Sequence, residues 1–404
     1  MADNRGNKAR VTICMVSTGH GCLDDRLFYR ETLTLSKRYP DIIVMTPFET
    51  NTPSETAGIT FTAIPRGDSK LSRVLLIPSV IKMILKIKPQ VIHIHDFELL
   101  VALPFLKLLS GAKIVYDAYE VYPEMMLQSR SIPKPFRPIM SCVVDFIEKV
   151  LARFADCVIT ADEHISDRFR NIKRPVTTLF NYPILKLFLS DADEVEKLKA
   201  QYKGRLPIIY QGSITEERGL FKMIDTMAIL KERHPEVILL MIGRIGETLL
   251  LRAQERIEKE GLQEQINIIG WIPHIKIVNY IHIAKIGLVP FLPTKKFHKN
   301  IPTKQFEYMA CGVPVLGANL PPIVEYVKEA GCGRVYDSLS AKDFAASVIS
   351  MLKDEVSWQE MSRAGKEAVQ KMWNWDQMEG RLLRQYQELL STTDHGLSLQ
   401  ELKQ

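Results

Sequence analysis

Short β-branched runs alternating with helical segments, broken off once and then resumed, restrict the possible folds of this chain more than any other feature. Val11 to Thr18, Ile42 to Thr46, Val91 to His95, Lys113 to Tyr116 and Cys157 to Thr160 form a first series. A polar stretch from Ser190 to Arg205 follows, and the pattern restarts with Pro207 to Gln211, Val237 to Ile242, Ile266 to Ile269, Ile286 to Pro290 and Val313 to Leu316. Near-continuous apolar runs between helices specify parallel strands covered on both faces. The expected class is α/β, with two Rossmann-like, doubly wound domains, and 404 residues suffice for two or three units of roughly 150. We place the domains at 1–186 and 187–372, the helix Glu194 to Tyr202 leading into the second. In 373–404 a helix carries Trp375, Met378, Leu382, Tyr386 and Leu389 on one stripe. Ligands of open α/β sheets sit outside the carboxyl ends of the strands, so the loops after each strand are where chemistry is expected.

Composition excludes several classes. Charged residues at 25% and hydrophobic ones at 46% are ordinary for a folded protein. Cys14, Cys22, Cys142, Cys157, Cys311 and Cys332 form no CxxC pair, so neither a zinc site nor a disulfide framework is indicated. No apolar run reaches a membrane span, and Met1 to Arg10 lacks the apolar core of a signal peptide, so a cytoplasmic protein is expected. The net charge of +6 is unevenly placed: Arg66, Lys70, Arg73, Lys82, Lys86 and Lys88 stand against Asp68 alone. That favours an anionic surface as partner; no nucleic-acid recognition motif accompanies it.

The densest chemistry lies in Ile301-Pro-Thr-Lys-Gln-Phe-Glu307-Tyr-Met-Ala-Cys-Gly312-Val-Pro-Val-Leu-Gly317. Pro302 suits the first turn of a helix, after which Thr303 and Lys304 offer free N–H groups to an anion such as a diphosphate. Glu307 lies one turn deeper, where a carboxylate can accept two hydrogen bonds from a ribose diol. Gly312 ends the helix and Val313 opens a strand. This wording closely resembles the donor-binding segment of family 4 of the retaining glycosyltransferases, enzymes of the GT-B fold. The resemblance implies two such domains facing an inter-domain cleft, with the last helix crossing back to the first domain.

Three loops join the donor side. Tyr210-Gln-Gly212-Ser213-Ile-Thr-Glu-Glu-Arg218-Gly219 follows a strand, with glycines for a turn near phosphate and Arg218 as a bidentate fork. It is similar to the family's phosphate loop, with Ser213 where an arginine often stands and Arg218 in place of a lysine. Gly243, in Met241-Ile-Gly243-Arg244-Ile-Gly246, follows another strand. Gly270, Trp271 and Ile272 match the loop that holds the nucleobase in the family. Lys299 stands where many members carry a second glutamate.

The first half offers Ser17-Thr-Gly19-His20-Gly21-Cys-Leu-Asp24-Asp25-Arg26, His93-Ile-His95-Asp96-Phe-Glu98 and Tyr116-Asp117-Ala-Tyr119-Glu120. They resemble the family's acceptor-side loops, which makes Gly19, Gly21, Asp25 and Arg26 acceptor-side residues and His20, Asp96, Tyr119 and Glu120, with Arg218, the candidates for catalysis. Tyr119 replaces the family's usual histidine and, with an unperturbed pKa of about 10, is a poor base at neutral pH. Retention in the family is attributed to same-face attack in which the leaving diphosphate takes the acceptor proton, leaving the protein to stabilise the leaving group; Arg218 and the helix start at Thr303 would do so. His93 and His95 share one side of their strand but make only two ligands, and buried, hydrogen-bonded histidines are expected. Asp191-Ala-Asp193 reads as a helix cap. No metal and no cofactor is expected beyond a nucleotide-diphosphate sugar as co-substrate.

Leu71 to Lys88, the loop Val121 to Arg137, and Pro138 to Phe154, with Ile139, Val143, Phe146, Val150 and Phe154 at helical spacing, fit either a sheet-covering role or the inner face of an anionic membrane. The reading is a metal-independent retaining hexosyltransferase that uses a UDP- or GDP-sugar and acts on a cell-envelope glycan or lipid-linked acceptor. The rivals are a nucleotide-sugar epimerase or hydrolase on the same fold, and a non-catalytic sugar-nucleotide-binding partner protein.

Overall fold

A computed structural model of the protein describes residues 11–47, 55–56, 58–67, 69–129 and 131–394. Met1 to Arg10, Asp68 and Arg130 lie outside the described residues. Internal contacts divide the chain into two compact units, one holding residues up to Asn181 together with those from Asp376 onward, the other Tyr182–Trp375.

In the first unit, strands β1 (Thr12–Val16), β2 (Asp41–Pro47), β3 (Glu55–Thr56), β4 (Ile59–Ile64), β5 (Val91–Ile94), β6 (Lys113–Ala118), β7 (Cys157–Thr160) and β8 (Val176–Thr178) form one sheet in the order β3-β4-β2-β1-β5-β6-β7-β8. All pairings are parallel except the short β3–β4 edge. β1, β5 and β7 have almost no accessible surface because helices cover both faces, which is why their sequences are continuously apolar. β4 and β8 were not apparent as strands in the sequence: β4 is buried only at its ends, Ile59 and Ile64, and β8 spans three half-buried residues.

The second unit repeats the plan with β9 (Leu206–Gln211), β10 (Val237–Ile242), β11 (Ile266–Gly270), β12 (Ile286–Val289), β13 (Val315–Ala318) and β14 (Gly333–Tyr336), all parallel, in the order β11-β10-β9-β12-β13-β14. The winding direction reverses between β1 and β5 in one sheet and between β9 and β12 in the other. In open parallel sheets such a reversal, at the carboxyl ends of the strands, is where ligands bind.

One expectation from the sequence shifts in detail and another holds. Pro302 does not sit inside the first turn; it precedes the helix Thr303–Ala310 with extended backbone, and the Thr303 N–H becomes the first of the helix. Asp191 caps the helix Ala192–Gln201 by accepting from the N–H groups of Asp193 and Glu194, at 3.0 and 3.2 Å, which accounts for the Asp-x-Asp pair.

The helix Trp375–Asp394 buries Met378, Leu382, Tyr386 and Leu389, the expected stripe. It packs in the first unit: Gln385 accepts from Thr177 at 2.5 Å, and the Tyr386 hydroxyl lies 2.8 Å from His93 Nδ1. His93 opens a buried polar network. Its ring stacks on His95, whose Nε2 meets Glu31 at 2.8 Å. Arg26 grips Asp117 with two hydrogen bonds of 2.6 and 2.9 Å and lies 3.2 Å from Glu31. Burial pushes the Glu31 carboxyl up to about 7, Asp117 adding to it. Burial would lower His95, but Glu31 and Asp117 raise it, so this pair shares a proton between them. His93, 3.6 Å from Glu31, is held well below its usual value by burial and by His95 and Arg26. Where the sequence offered two ligand-type side chains, the fold brings together four, Glu31, His93, His95 and Asp117, with ligand atoms within 4.8 Å of one another.

Candidate active site

In the second unit the site grows from the reversal between β9 and β12. Gln211 ends β9 and Gly212 turns the chain at φ +108°, a conformation glycine tolerates best. The Gly212 N–H donates to the Ile242 carbonyl and the Gly243 N–H to that of Gly270, both at 2.8 Å, so the turns after β9, β10 and β11 hang on one another. They touch closely. A Cβ on Gly243 would lie 1.9 Å from the Gly212 carbonyl oxygen, which requires glycine there.

Lys304 and Arg218 converge on Gly212: a side chain built on it would meet Lys304 Nζ at 3.4 Å and Arg218 Nη1 at 3.8 Å. Lys304 is 5% exposed, and its amine makes no hydrogen bond. It rests instead on two aromatic faces, 3.8 Å from the centre of the Tyr210 ring and 4.9 Å from that of Phe291. Burial, then the neighbouring Arg218 charge, push this amine well below the ordinary lysine range, with Glu307 opposing them. The Arg218 guanidinium and a buried amine with no hydrogen-bond partner, both beside a bare glycine, make a receptor for an anion, whose charge would favour the protonated amine. The free N–H groups at the start of the Thr303 helix point to the same class of ligand.

Glu307 accepts from the Gln211 side chain, while Tyr308 accepts from the Gln211 N–H at 3.1 Å and donates to the Leu288 carbonyl at 3.3 Å. These bonds lock the helix to β9 and β12 and fix the height of Glu307. Ser213 and Thr303 are exposed, and Ile272 is half-buried. Trp271 is 61% exposed with the Arg244 guanidinium 5.6 Å over its ring, so it is a surface platform, not a core residue. Lys299 is exposed.

In the first unit the loops after β1, β5 and β6 meet. Asp96 accepts from the Ser17 hydroxyl at 2.9 Å and from the N–H groups of Thr18 and Gly19 at 2.5 and 3.2 Å, tying two loops across the reversal. His20 donates from Nδ1 to Asp24 at 2.9 Å, and its Nε2 meets the Tyr119 hydroxyl and lies 3.7 Å from Asp96. Burial would lower this imidazole, but Asp24, Asp96 and Glu120 together raise it. Burial works against Asp24 too, yet its bonds to His20 and to the N–H groups of Leu27 and Arg26 hold it at about 2. Tyr119 is pushed up by burial and by Asp96, so its hydroxyl keeps its proton. His20, Asp24, Asp96 and Tyr119 thus form one cluster, with Gly19 and Gly21 at its edge.

Glu120 is exposed, and Asp25 pairs outward with Arg30. Arg26 departs from its expected place on the acceptor side. Its Nε and Nη2 go to Asp117 and its Nη1 to Leu179 and Asn181, so it is spent inside the unit. Sequence reasoning missed Gln211, Phe291, Asp24 and Arg73. Arg73, paired with Glu98 at 2.9 Å, closes over Gly19, where a Cβ would be 2.3 Å from its Nη1. The i,i+4 spacing of His20 and Asp24 was the one available signal.

Two doubly wound sheets of this order, each with its polar groups at the reversal, define the GT-B fold class. Sucrose-phosphate synthase from Thermosynechococcus elongatus superposes with a TM-score of 0.76 at 17% identity, covering 95% of this chain and 100% of that one. HepE from Anabaena, solved in complex with UDP, gives 0.72 at 15% identity over 94% of this chain and 100% of that one. In sequence, the glycogen synthase of Mycobacterium tuberculosis is 22% identical over 288 residues, which are 71% of this chain; the match spans 66% of that protein, just under two thirds of its length. Residues 191–371, which lie within the second unit, match the family described as Glycosyl transferases group 1.

Proposed function

We propose that the protein is a retaining hexosyltransferase which takes its sugar from a UDP- or GDP-sugar and delivers it to a cell-envelope glycan or lipid-linked acceptor. The observation that carries this reading is the convergence of the Lys304 amine and the Arg218 guanidinium on Gly212, where a diphosphate would lie. HepE, solved with UDP on the same fold, supports a nucleoside diphosphate as the anion. Thr303 would add helix N–H groups, Glu307 would accept the ribose hydroxyls, and Gly270, Trp271 and Ile272 would bound the base.

In the reaction the bond between the anomeric carbon and the β-phosphate oxygen breaks, and the acceptor oxygen takes its place on the same face. The acceptor proton passes to the departing diphosphate oxygen. Charge develops on that oxygen, so Lys304, Arg218 and the Thr303 helix start stabilise the transition state more than the ground state. We assign the chemistry to this cationic set without a metal. In the first unit, His20, raised by Asp24, and the Tyr119 hydroxyl would hold acceptor hydroxyls, and Asp96 would fix the loops that carry them.

A thermal-shift screen against UDP, GDP, ADP and CMP and their sugars, in chelator, tests the reading, since a ligand that binds only the folded state raises Tm. One nucleoside diphosphate should stabilise selectively, and Glu307→Ala should abolish most of that shift. Turnover of the sugar nucleotide with no acceptor present would favour an epimerase or hydrolase. Absence of a shift with every diphosphate would overturn the placement of the donor.

A further inference from the structure

The helix Arg137–Ala152 does not cover the sheet with the apolar stripe its sequence shows. Its apolar stripe, Ile139, Val143 and Phe146, faces outward, Phe146 at 69% exposure, while Val144, Glu148 and Ala152 face the core. Glu148 is satisfied there by Arg168 and by the Tyr116 hydroxyl at 2.8 Å. An amphipathic helix that spends a buried ion pair inward and keeps its larger apolar side outward has a second surface to meet.

That side is not isolated. From β4 the chain runs to β5, β6 and β7 in one direction across the sheet, and right-handed crossovers place the three connecting segments on the same face. The helices Ile77–Ile87 and Leu103–Leu109 touch each other, and the latter touches Arg137–Ala152. Phe105 and Leu108 on the second helix are also exposed, Leu108 at 83%, as is Leu75 just before the first. Lys82, Lys86 and Lys134 stand exposed beside them. The three helices hold no acid except Asp145 and Glu148, and both are paired, Asp145 with Lys149 at 2.6 Å and Arg168 at 2.9 Å.

We infer that this face of the first unit docks on an anionic lipid bilayer, with Phe105, Leu108, Ile139 and Phe146 entering the headgroup–acyl boundary and the lysines meeting phosphate. Large apolar side chains rimmed by cations are the chemistry of an interfacial, non-spanning contact. A second copy of the chain fits poorly, because two such faces would bring like charges together. Among the described residues no helix is long and apolar enough to cross a membrane, so the contact is superficial. The inference is independent of which nucleotide the second unit takes.

Flotation of the full chain with vesicles tests it, using phosphatidylcholine alone and with about one third phosphatidylglycerol. The protein should float with the anionic vesicles at low salt and be released by salt. Ile139→Asp/Phe146→Asp, both at exposed positions, should weaken this at least about tenfold, and Lys82→Glu/Lys86→Glu should remove the preference for anionic lipid. Unchanged Tm and nucleotide shifts in these variants would show that fold and donor site are intact. No flotation with anionic vesicles, equal flotation by the aspartate variant, or a wild-type dimer that the aspartate variant dissociates would each overturn the inference.

Discussion

Replacing Lys304 with methionine should strengthen the fold and weaken nucleotide binding in the same variant. The amine is buried with no hydrogen-bond partner, a condition that costs about 1–3 kcal/mol. The Tyr210 and Phe291 faces offset part of this, and a thioether keeps much of that contact through sulfur–ring packing. A net gain of about 1–2 kcal/mol follows, a rise in Tm of roughly 2–8 °C for a unit of this size. Against a diphosphate the variant loses a charge-assisted hydrogen bond of about 1.5–3 kcal/mol, or roughly 10- to 150-fold in Kd. Burial and Arg218 hold the folded value of Lys304 below its unfolded value of 10.5. Between those two values the unfolded chain keeps a proton that the folded chain has lost, so wild-type stability rises with pH across that window. The Tm advantage of Lys304→Met should therefore shrink as pH approaches 10.5, and wild-type affinity for the diphosphate should fall as pH rises through the folded value. Calorimetric melting of the unliganded protein and titration with UDP and GDP measure both sides. A variant that melts lower than wild type yet binds as tightly would refute the reasoning.

Gly243→Ala places a methyl against the Gly212 carbonyl at a backbone angle of φ +153°, and we expect destabilisation of more than about 2 kcal/mol together with weaker nucleotide binding, read by denaturant melts and calorimetry. Asp24→Asn should lower the titration midpoint of His20, followed by NMR, because burial then acts unopposed by its nearest anion. The raised His20 contributes stability that is complete below its unfolded value of 6.5 and is lost as pH climbs through the folded one. The depressed Asp24 contributes stability that is present above 3.8 and is lost as pH drops through about 2. The Tm gap between wild type and Asp24→Asn should thus be widest between those two unfolded values; a gap independent of pH would refute the pairing.

The central parallel strands and the helix Thr303–Ala310 were legible because burial on both faces leaves a continuous apolar run, and because Gly312 ends the helix in the left-handed region. Pattern failed where burial was partial. β4 and β8 lack the run, and the stripe Ile139–Val143–Phe146 has the spacing of a core face although it points outward. Spacing cannot tell which of two stripes turns inward when the inward one is built on an ion pair such as Glu148–Arg168. For the site, residue types after strands suggested Gly212, Arg218, Lys304 and Glu307 as candidates, and the fold brings Lys304 and Arg218 together beside Gly212. That Lys304 folds over the Tyr210 ring to meet Arg218 beside Gly212 was not legible, because the two lie on separate segments. Arg26 could not be assigned from the sequence, because its partner Asp117 is 91 residues away.

The return of the helix Trp375–Asp394 to the first unit has a consequence for synthesis. A chain emerging from the ribosome completes eight strands of its first sheet, then all of Tyr182–Trp375, before the Tyr386 hydroxyl exists to meet His93. At roughly 5–20 residues per second that interval lasts about 10–40 s. During it, one side of the first unit lacks its cover and a buried imidazole lacks its partner. Messages truncated before Tyr386 should accordingly leave a first unit that is sticky and readily degraded, and expression of the N-terminal half alone calls for the last helix to be grafted after Asn181.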